Sequence, residues 1–266
     1  MSAIRPAAFA GTFYPGDAPA LAAEVASYLS QAKAPAARAP KAIIAPHAGY
    51  IYSGPIAASI YARLTALRGR IRRVVLAGPA HRVYVAGIAV PSVAAFASPL
   101  GEVALDRGAI DSLRRFPFVE VSDGAHAQEH SLEVHIPFLQ SVLGSFELVP
   151  LVVGDAAPGE MAQVLDMLWG GDETLVVVSS DLSHYHPYRE AQARDGATAE
   201  AIHALDATLQ PEEACGAAPI NGLLRAARAR GLGCEIVDVR NSGDTAGDRS
   251  RVVGYGGFAF TEGGDA

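Results

Sequence analysis

Apolar positions along the chain fall into short runs separated by amphipathic stretches. Strand-like runs, β-branched and bounded by turn residues, lie at 41–46 (KAIIAP), 73–79 (RVVLAGP), 87–91 (GIAVP), 148–153 (LVPLVV), 174–180 (TLVVVSS), 235–239 (EIVDV) and 251–260 (RVVGYGGFAF). The runs starting at 41, 73 and 174 are apolar on both faces, the pattern of strands covered by helices on either side. Between the runs, apolar residues recur at helical spacing. Asp17 is placed to cap a helix over 17–30 that presents Leu21, Val25, Tyr28 and Leu29 on one face. Ile56, Ile60, Leu64 and Leu67 mark a second helix over 53–67. Met161, Val164, Leu165 and Leu168 mark a third over 158–169, with Pro158 near its first turn. Two more are predicted over 187–205 and 219–230. Alternating strands and helices predict an α/β three-layer sandwich around a central, mostly parallel or mixed sheet. With no internal repeat, residues 1–266 are expected to form a single domain. Segment 31–40 (QAKAPAARAP) reads as a surface loop, and the tail after Phe260 as a frayed end.

Composition narrows the function classes. The 266 residues are 50% hydrophobic and 18% charged, with a formal net charge of -7. Such a chain buries a core rather than staying disordered. The acidic balance, with a sequence pI ≈ 5.6, argues against nucleic acid and anionic membrane surfaces as partners. No apolar run approaches the ~20 residues needed to span a bilayer, and no secretory h-region follows the start. The chain is therefore expected in the cytoplasm. Two cysteines, Cys215 and Cys234, exclude a disulfide framework. Eight histidines beside them are more suggestive, because histidine is the commonest metal ligand and titrates near neutral pH.

Three of those histidines share a topological position. His47 follows the run KAIIA, His81 follows VVLA, and His184 follows TLVVVSS, each in a polar turn. Carboxyl ends of neighbouring parallel strands form the ligand crevice of open α/β sheets, so the three are expected on one rim. A surface hydrogen bond would explain any one of them alone; three at the same position favour a site. A second cluster, 126–135 (HAQEHSLEVH), lacks the i, i+4 histidine pair of a zinc helix, since His130 and His135 are five apart. It reads either as the polar entry to a helix packing Phe138, Leu139, Val142 and Leu143, or as a segment that supports the metal ligands from behind or faces substrate. His186 and His203 read as helix-entry and packing residues. Candidate carboxylates at strand ends are Asp181 and Asp244; the latter reads equally well as an Asx turn. Cys215 reads first as a buried, inert thiol. No zinc cysteine cluster, phosphate-binding glycine loop or serine nucleophile elbow is present.

Several stretches carry a more specific signal. RPAAFAGTFYPGD, PHAGYIYSGPIAASIY, GPAHR, QEHSLEVHIPFLQ, SSDLSHYHPYREA, ACGAAPINGLL and NSGDTAGDRSRVVGYGGFAF occur in order over nearly the whole chain. Together they resemble the MEMO family, whose prokaryotic members are called AmmeMemoRadiSam system protein B. The resemblance implies a fold like that of the LigB-type class III extradiol dioxygenases, whose iron(II) is held by two histidines and a carboxylate. By position it implies His47 and His81 as metal ligands, and His184 as the acid/base with Asp181 beside it. Animal members have a cysteine in the C-terminal loop near the metal; here Asp244, or else Asp248, stands in that region. Asp244 is thus the expected third ligand. Tyr50, His130, His135 and Cys215 are expected to face substrate, with Tyr52, Tyr185 and Tyr188 nearby.

Three functions follow from these readings. The first is a mononuclear non-heme Fe(II) site with redox or dioxygenase-like chemistry on an unknown substrate. Zinc or copper are alternatives, since affinity alone favours both over iron. The second is a non-catalytic module binding a peptide or anionic ligand in the same crevice. The third, implied by the family name, is a partner of AMMECR-type and radical-SAM proteins. Whether the protein is an enzyme stays open at this level.

Overall fold

The computed structural model describes residues 3–32 and 38–262. Half of the 31–40 loop, residues 33–37, and the end of the tail, residues 263–266, lie outside those residues. The central sheet has nine strands. Four of them, Ala42–Ala45, Thr174–Ser179, Arg73–Pro79 and Glu147–Val153, are parallel neighbours in that order. Their side chains are buried at almost every position, as expected of strands roofed on both faces. Each fully buried Val, Leu or Ile there contributes about 1.5–3 kcal/mol.

Antiparallel strands flank this parallel centre. Val252–Glu262 runs antiparallel to Ala42–Ala45, and both Asp181–His186 and Leu232–Asn241 pair with it. On the other side Ile88–Val90 runs antiparallel to Glu147–Val153 and carries Val119–Val121. Helices Ala18–Gln31, Tyr50–Tyr61 and Ile136–Leu143 pack on one another, the second lying on the strands at 42 and 252. Helices Pro158–Leu168 and Ala217–Ala229 pack together, the latter over the strands at 73 and 174. Tyr188–His203 lies on the strands at 181, 232 and 252. The result is a mixed sheet between helical layers, the α/β sandwich expected from the pattern.

Several elements differ from expectation. The predicted 53–67 helix divides at Tyr61 into an α-helix and a 3-10 segment, Ala62–Leu67. The residues after Ser180, read as a polar turn, form the strand Asp181–His186. Its sequence DLSHYH offers only Leu182 as an apolar signal. Pairing with the start of Val252–Glu262 makes it a strand, with register shifts on either side of His184. A three-stranded sheet of Ile4–Arg5, Ala95–Ser98 and Gly101–Ala104 had no periodicity long enough to predict it. The 126–135 segment breaks into short helices, Asp123–Ala127 and His130–Glu133, before Ile136–Leu143. Pro137 sits in the first turn of the last one, where its missing N–H costs nothing. Among the described residues, no helix is long and apolar enough to cross a membrane.

Candidate metal centre

The carboxyl ends of three adjacent parallel strands define the site. Ala42–Ala45 delivers His47, which is 2% exposed. The His47 backbone N–H donates to Asp181 Oδ1 at 2.8 Å. Its Nδ1 lies 2.6 Å from Ser179 Oγ at the end of the neighbouring strand. That hydroxyl spends its single proton on Ser131 O, 2.6 Å away. Towards His47 it can only accept, so Nδ1 carries the hydrogen and Nε2 keeps a free lone pair.

His81 is tied down in the same way by a different group. Its backbone N–H and its Nδ1 both reach the Glu129 carboxylate, at 2.7 and 2.9 Å. Burial pushes the Glu129 carboxyl up, but hydrogen bonds from His81 and from the Ser131 N–H outweigh it and bring it to about 2. Glu129 is thus ionised at neutral pH, His81 Nδ1 is the donor, and Nε2 is left free. A carboxylate behind an imidazole fixes its tautomer and raises its basicity, the arrangement usual behind metal-bound histidine.

His130 supplies the third imidazole, from the first position of the helix His130–Glu133 that Glu129 caps. Its ring stacks on His81 with centroids 4.6 Å apart and meets His47 edge-on at 5.3 Å. Phe13 and Phe9 pack on it at 4.8 and 5.5 Å. The segment that carries them is held by Glu133, which accepts from the backbone N–H groups of Ala8 and Phe9, from Tyr14 and from Arg5. Gly78 allows the strand at 73 to approach this helix, since a Cβ there would lie 2.7 Å from Ser131 Oγ.

One ring nitrogen from each of His47, His81 and His130 lies within 4.8 Å of the other two. His47 is buried, His130 half-buried and His81 exposed, so the group opens to solvent on one side. There His81 borders a cavity of 290 Å³ shared with Arg82, Tyr84 and Asp155. Burial, then the neighbouring histidines, holds His47 well below its usual range. Burial and His81 bring His130 down to about 4. At neutral pH both are neutral, the form that binds metal. The buried Nδ1 of His130 lies 3.4 Å from Glu129 Oε1 and makes no hydrogen bond among the described residues. Three imidazoles, two with their second nitrogen oriented by the fold, could hold a metal ion; this donor set suits zinc, copper, iron or nickel.

Other expected residues divide between this centre and elsewhere. Asp181 borders it: its Oδ2 is 3.9 Å from His47 Nε2, and burial pushes its carboxyl up to about 7. Cys215 Sγ lies 3.3 Å from the same nitrogen and accepts the Asp181 N–H. Burial, then Asp181, pushes its thiol up to about 12. His184 is half-buried on the strand at 181, and burial lowers it. The next residue, Tyr185, takes a left-handed backbone (φ 63) and is exposed under Arg251. Asp244 is not brought to the three histidines. Its carboxylate closes its own loop, accepting from Asn241 N–H at 3.0 Å and from the Tyr188 hydroxyl. Asp248 likewise bonds Ser250. Tyr50 is core, its hydroxyl donating to Val134 O at 2.6 Å beside Phe138. His135 is buried, with Nδ1 2.8 Å from the Tyr61 hydroxyl, and burial and His130 bring it down to about 3. His186 pairs with Glu190, and His203 bonds Cys234 O.

Sequence reasoning placed Glu129 and Glu133 on one face without giving Glu129 a role of its own, missed Ser179 altogether, and placed His130 on the substrate side. A signal existed for Glu129: two carboxylates, Glu129 and Glu133, four residues apart in a segment leading into a buried helix. Ser179 carried none, since a serine ending an apolar strand is common.

The chain is similar to known proteins over almost its full length. A MEMO1 family protein of Aquifex aeolicus is 35% identical over 97% of this chain and 99% of its own. One from Methanopyrus kandleri is 37% identical over 83% of each. One from Sulfolobus acidocaldarius is 32% identical over 95% of this chain and 97% of its own. The crystal structure of an uncharacterized protein of Escherichia coli K12 shares the fold, with a TM-score of 0.51 at 18% identity, covering 82% of this chain and 99% of that one. The family model described as Memo-like protein matches residues 5–259, and the chain belongs to the Memo family.

Proposed function

We propose that this chain is a mononuclear metalloprotein in which His47, His81 and His130 hold iron(II), with dioxygenase-like redox chemistry on a small substrate. The observation that carries the proposal is the convergence of the three imidazoles, with Ser179 and Glu129 turning the Nε2 lone pairs of two of them free. Bound iron(II) supplies open coordination positions and a redox couple that no side chain has.

The remaining roles belong to the chain itself. His184, held below its usual range by burial, is neutral at pH 7 and able to take a proton from a substrate hydroxyl. Asp181 fixes the His47 backbone with one oxygen and faces the centre with the other. Phe9 and Phe13 keep water from one side of His130.

Anaerobic titration of the metal-free protein with iron(II), zinc and copper(II) tests the reading. One equivalent of iron per chain is expected, with dioxygen uptake by the iron form alone. Zinc or copper binding without iron binding would replace the metal and remove the redox role. No stoichiometric metal of any kind would leave a crevice suited only to a peptide or anionic ligand.

A further inference from the structure

Asp195 is a buried carboxyl that neither the metal centre nor the packing of the core accounts for. It lies in the middle of the helix Tyr188–His203 and is 1% exposed. Burial pushes its carboxyl up, and its Oδ2 makes no hydrogen bond among the described residues. A buried carboxyl left half unpaired is costly, so the contact it does make calls for a reason. Its Oδ1 accepts the Ser183 N–H at 2.9 Å.

Ser183 sits where the strand Asp181–His186 is irregular. Asp181 is paired with Tyr255 and His184 with Val253, so Leu182 and Ser183 together oppose Gly254 alone. This is a β-bulge, with one residue more on the strand at 181 than on its partner. Residues three apart in a regular strand point to opposite faces. Tyr255 and Val253, two apart, share a face, and directly paired residues point the same way. The extra residue therefore turns His184 to the face of Asp181, whose carboxylate borders the three histidines. Gly254 makes room for the group that holds the bulge, because a Cβ there would lie 2.1 Å from Asp195 Oδ2. A second extra residue, Tyr185 with its left-handed backbone, follows before His186 pairs with Val252.

We propose that Asp195, seated on Gly254, is a positioning residue for His184: by holding the Ser183 N–H out of the strand ladder, it fixes the bulge that turns the imidazole to the metal side of the sheet. The inference rests on the reading of His184 as the proton acceptor. Asp195 itself touches neither the three histidines nor Asp181. What its role requires is the acceptor oxygen at Oδ1, which an asparagine also has.

Two measurements on the metal-free full-length protein test this. One is amide hydrogen exchange resolved to single residues by NMR. The other is modification of His184 by diethyl pyrocarbonate, followed by mass spectrometry. The wild-type Ser183 amide should be protected, and His184 should react slowly. Asp195→Ala should speed Ser183 exchange by about tenfold, as expected for a lost hydrogen bond to a carboxylate, and should speed His184 modification several-fold. His203, exposed on the same helix, and the amides of the strands at 42 and 174 should not change. Gly254→Ala, which keeps Asp195 but fills its seat, should reproduce these effects. Asp195→Asn should stay close to the wild type. Circular dichroism and melting temperatures establish that each variant is folded. An unprotected Ser183 amide in the wild type would overturn the inference, as would unchanged Ser183 and His184 rates in Asp195→Ala. Exchange that rises equally in the central strands would make Asp195 scaffold only, and an Asp195→Asn that behaves like Asp195→Ala would make its charge, not its position, the cause. No readout involves metal or turnover, so these results stand apart from the reading of His184 as proton acceptor. That reading fails instead if His184→Gln leaves dioxygen uptake by the iron form unchanged.

Discussion

Glu129 and Glu133 are the same residue type, both essentially fully buried, one helical turn apart, and they do different work. Glu133 faces the N-terminal segment. It receives Arg5 Nη1 at 2.6 Å, two backbone N–H groups and the Tyr14 hydroxyl, so every partner is part of the scaffold. Glu129 faces the strand at 73 and spends its oxygens on His81 and the start of its own helix. Arg5 touches both turns, since its Nη2 also donates to Glu129 O. A buried carboxylate is therefore not in itself a mark of chemistry. What distinguishes the two is whether the donor has a second nitrogen left over to present to a ligand: His81 does, and Arg5 does not.

Substitutions should separate these roles, and the largest effect belongs to the scaffold. Glu133→Ala strands Arg5, a buried cation with no other carboxylate partner among the described residues, and should cost about 3–5 kcal/mol, read as a drop in denaturation midpoint. Metal stoichiometry in the protein that remains folded should be retained.

Next in size is a pH effect at the other end of the same segment. Burial brings His126, packed under Phe96, down to about 4. The unfolded chain takes up this proton near 6.5, whereas the folded chain holds it off until about 4. Stability from His126 is therefore complete above pH 6.5 and is lost as pH falls towards 4, by about 3 kcal/mol in all. Urea midpoints measured across that window should show the slope, and His126→Gln should flatten it.

Glu129→Gln tests the other half of the comparison. Loss of the charge behind His81 should weaken metal binding by about 10–100-fold, with a smaller change in melting temperature than Glu133→Ala. A large fall in stability with unchanged metal affinity would mean that the two glutamates are both scaffold. The smallest effect is expected at Asp244, whose carboxylate caps its own loop. Asp244→Ala should cost about 0.5–1 kcal/mol, in line with a lost cap, and leave metal affinity unchanged.

The parallel core was legible because strands buried on both faces write continuous apolar runs, and His47 and His81 were legible because they follow such runs directly. The strand that carries His184 was not legible, since DLSHYH has no alternation and is organised by its partner strand. Asp244 illustrates the opposite error. A strand-end aspartate looks the same in sequence whether it faces a metal or closes a turn, and here Tyr188 and Asn241, 56 and 3 residues away, decide the matter. The contribution of His130 depends on packing by Phe9 and Phe13 from the far end of the chain, which no local pattern records. Cys215 reaches His47 across 168 residues, through Gly216, whose missing Cβ becomes informative only once the strand beside it is known.

X-ray absorption fine structure of the metal-loaded protein tests the central claim most directly, because it counts imidazoles on the ion. Three are predicted in the wild type, falling to two in His130→Ala with the ion still bound less tightly. An imidazole count that His130→Ala leaves unchanged would contradict the three-histidine centre.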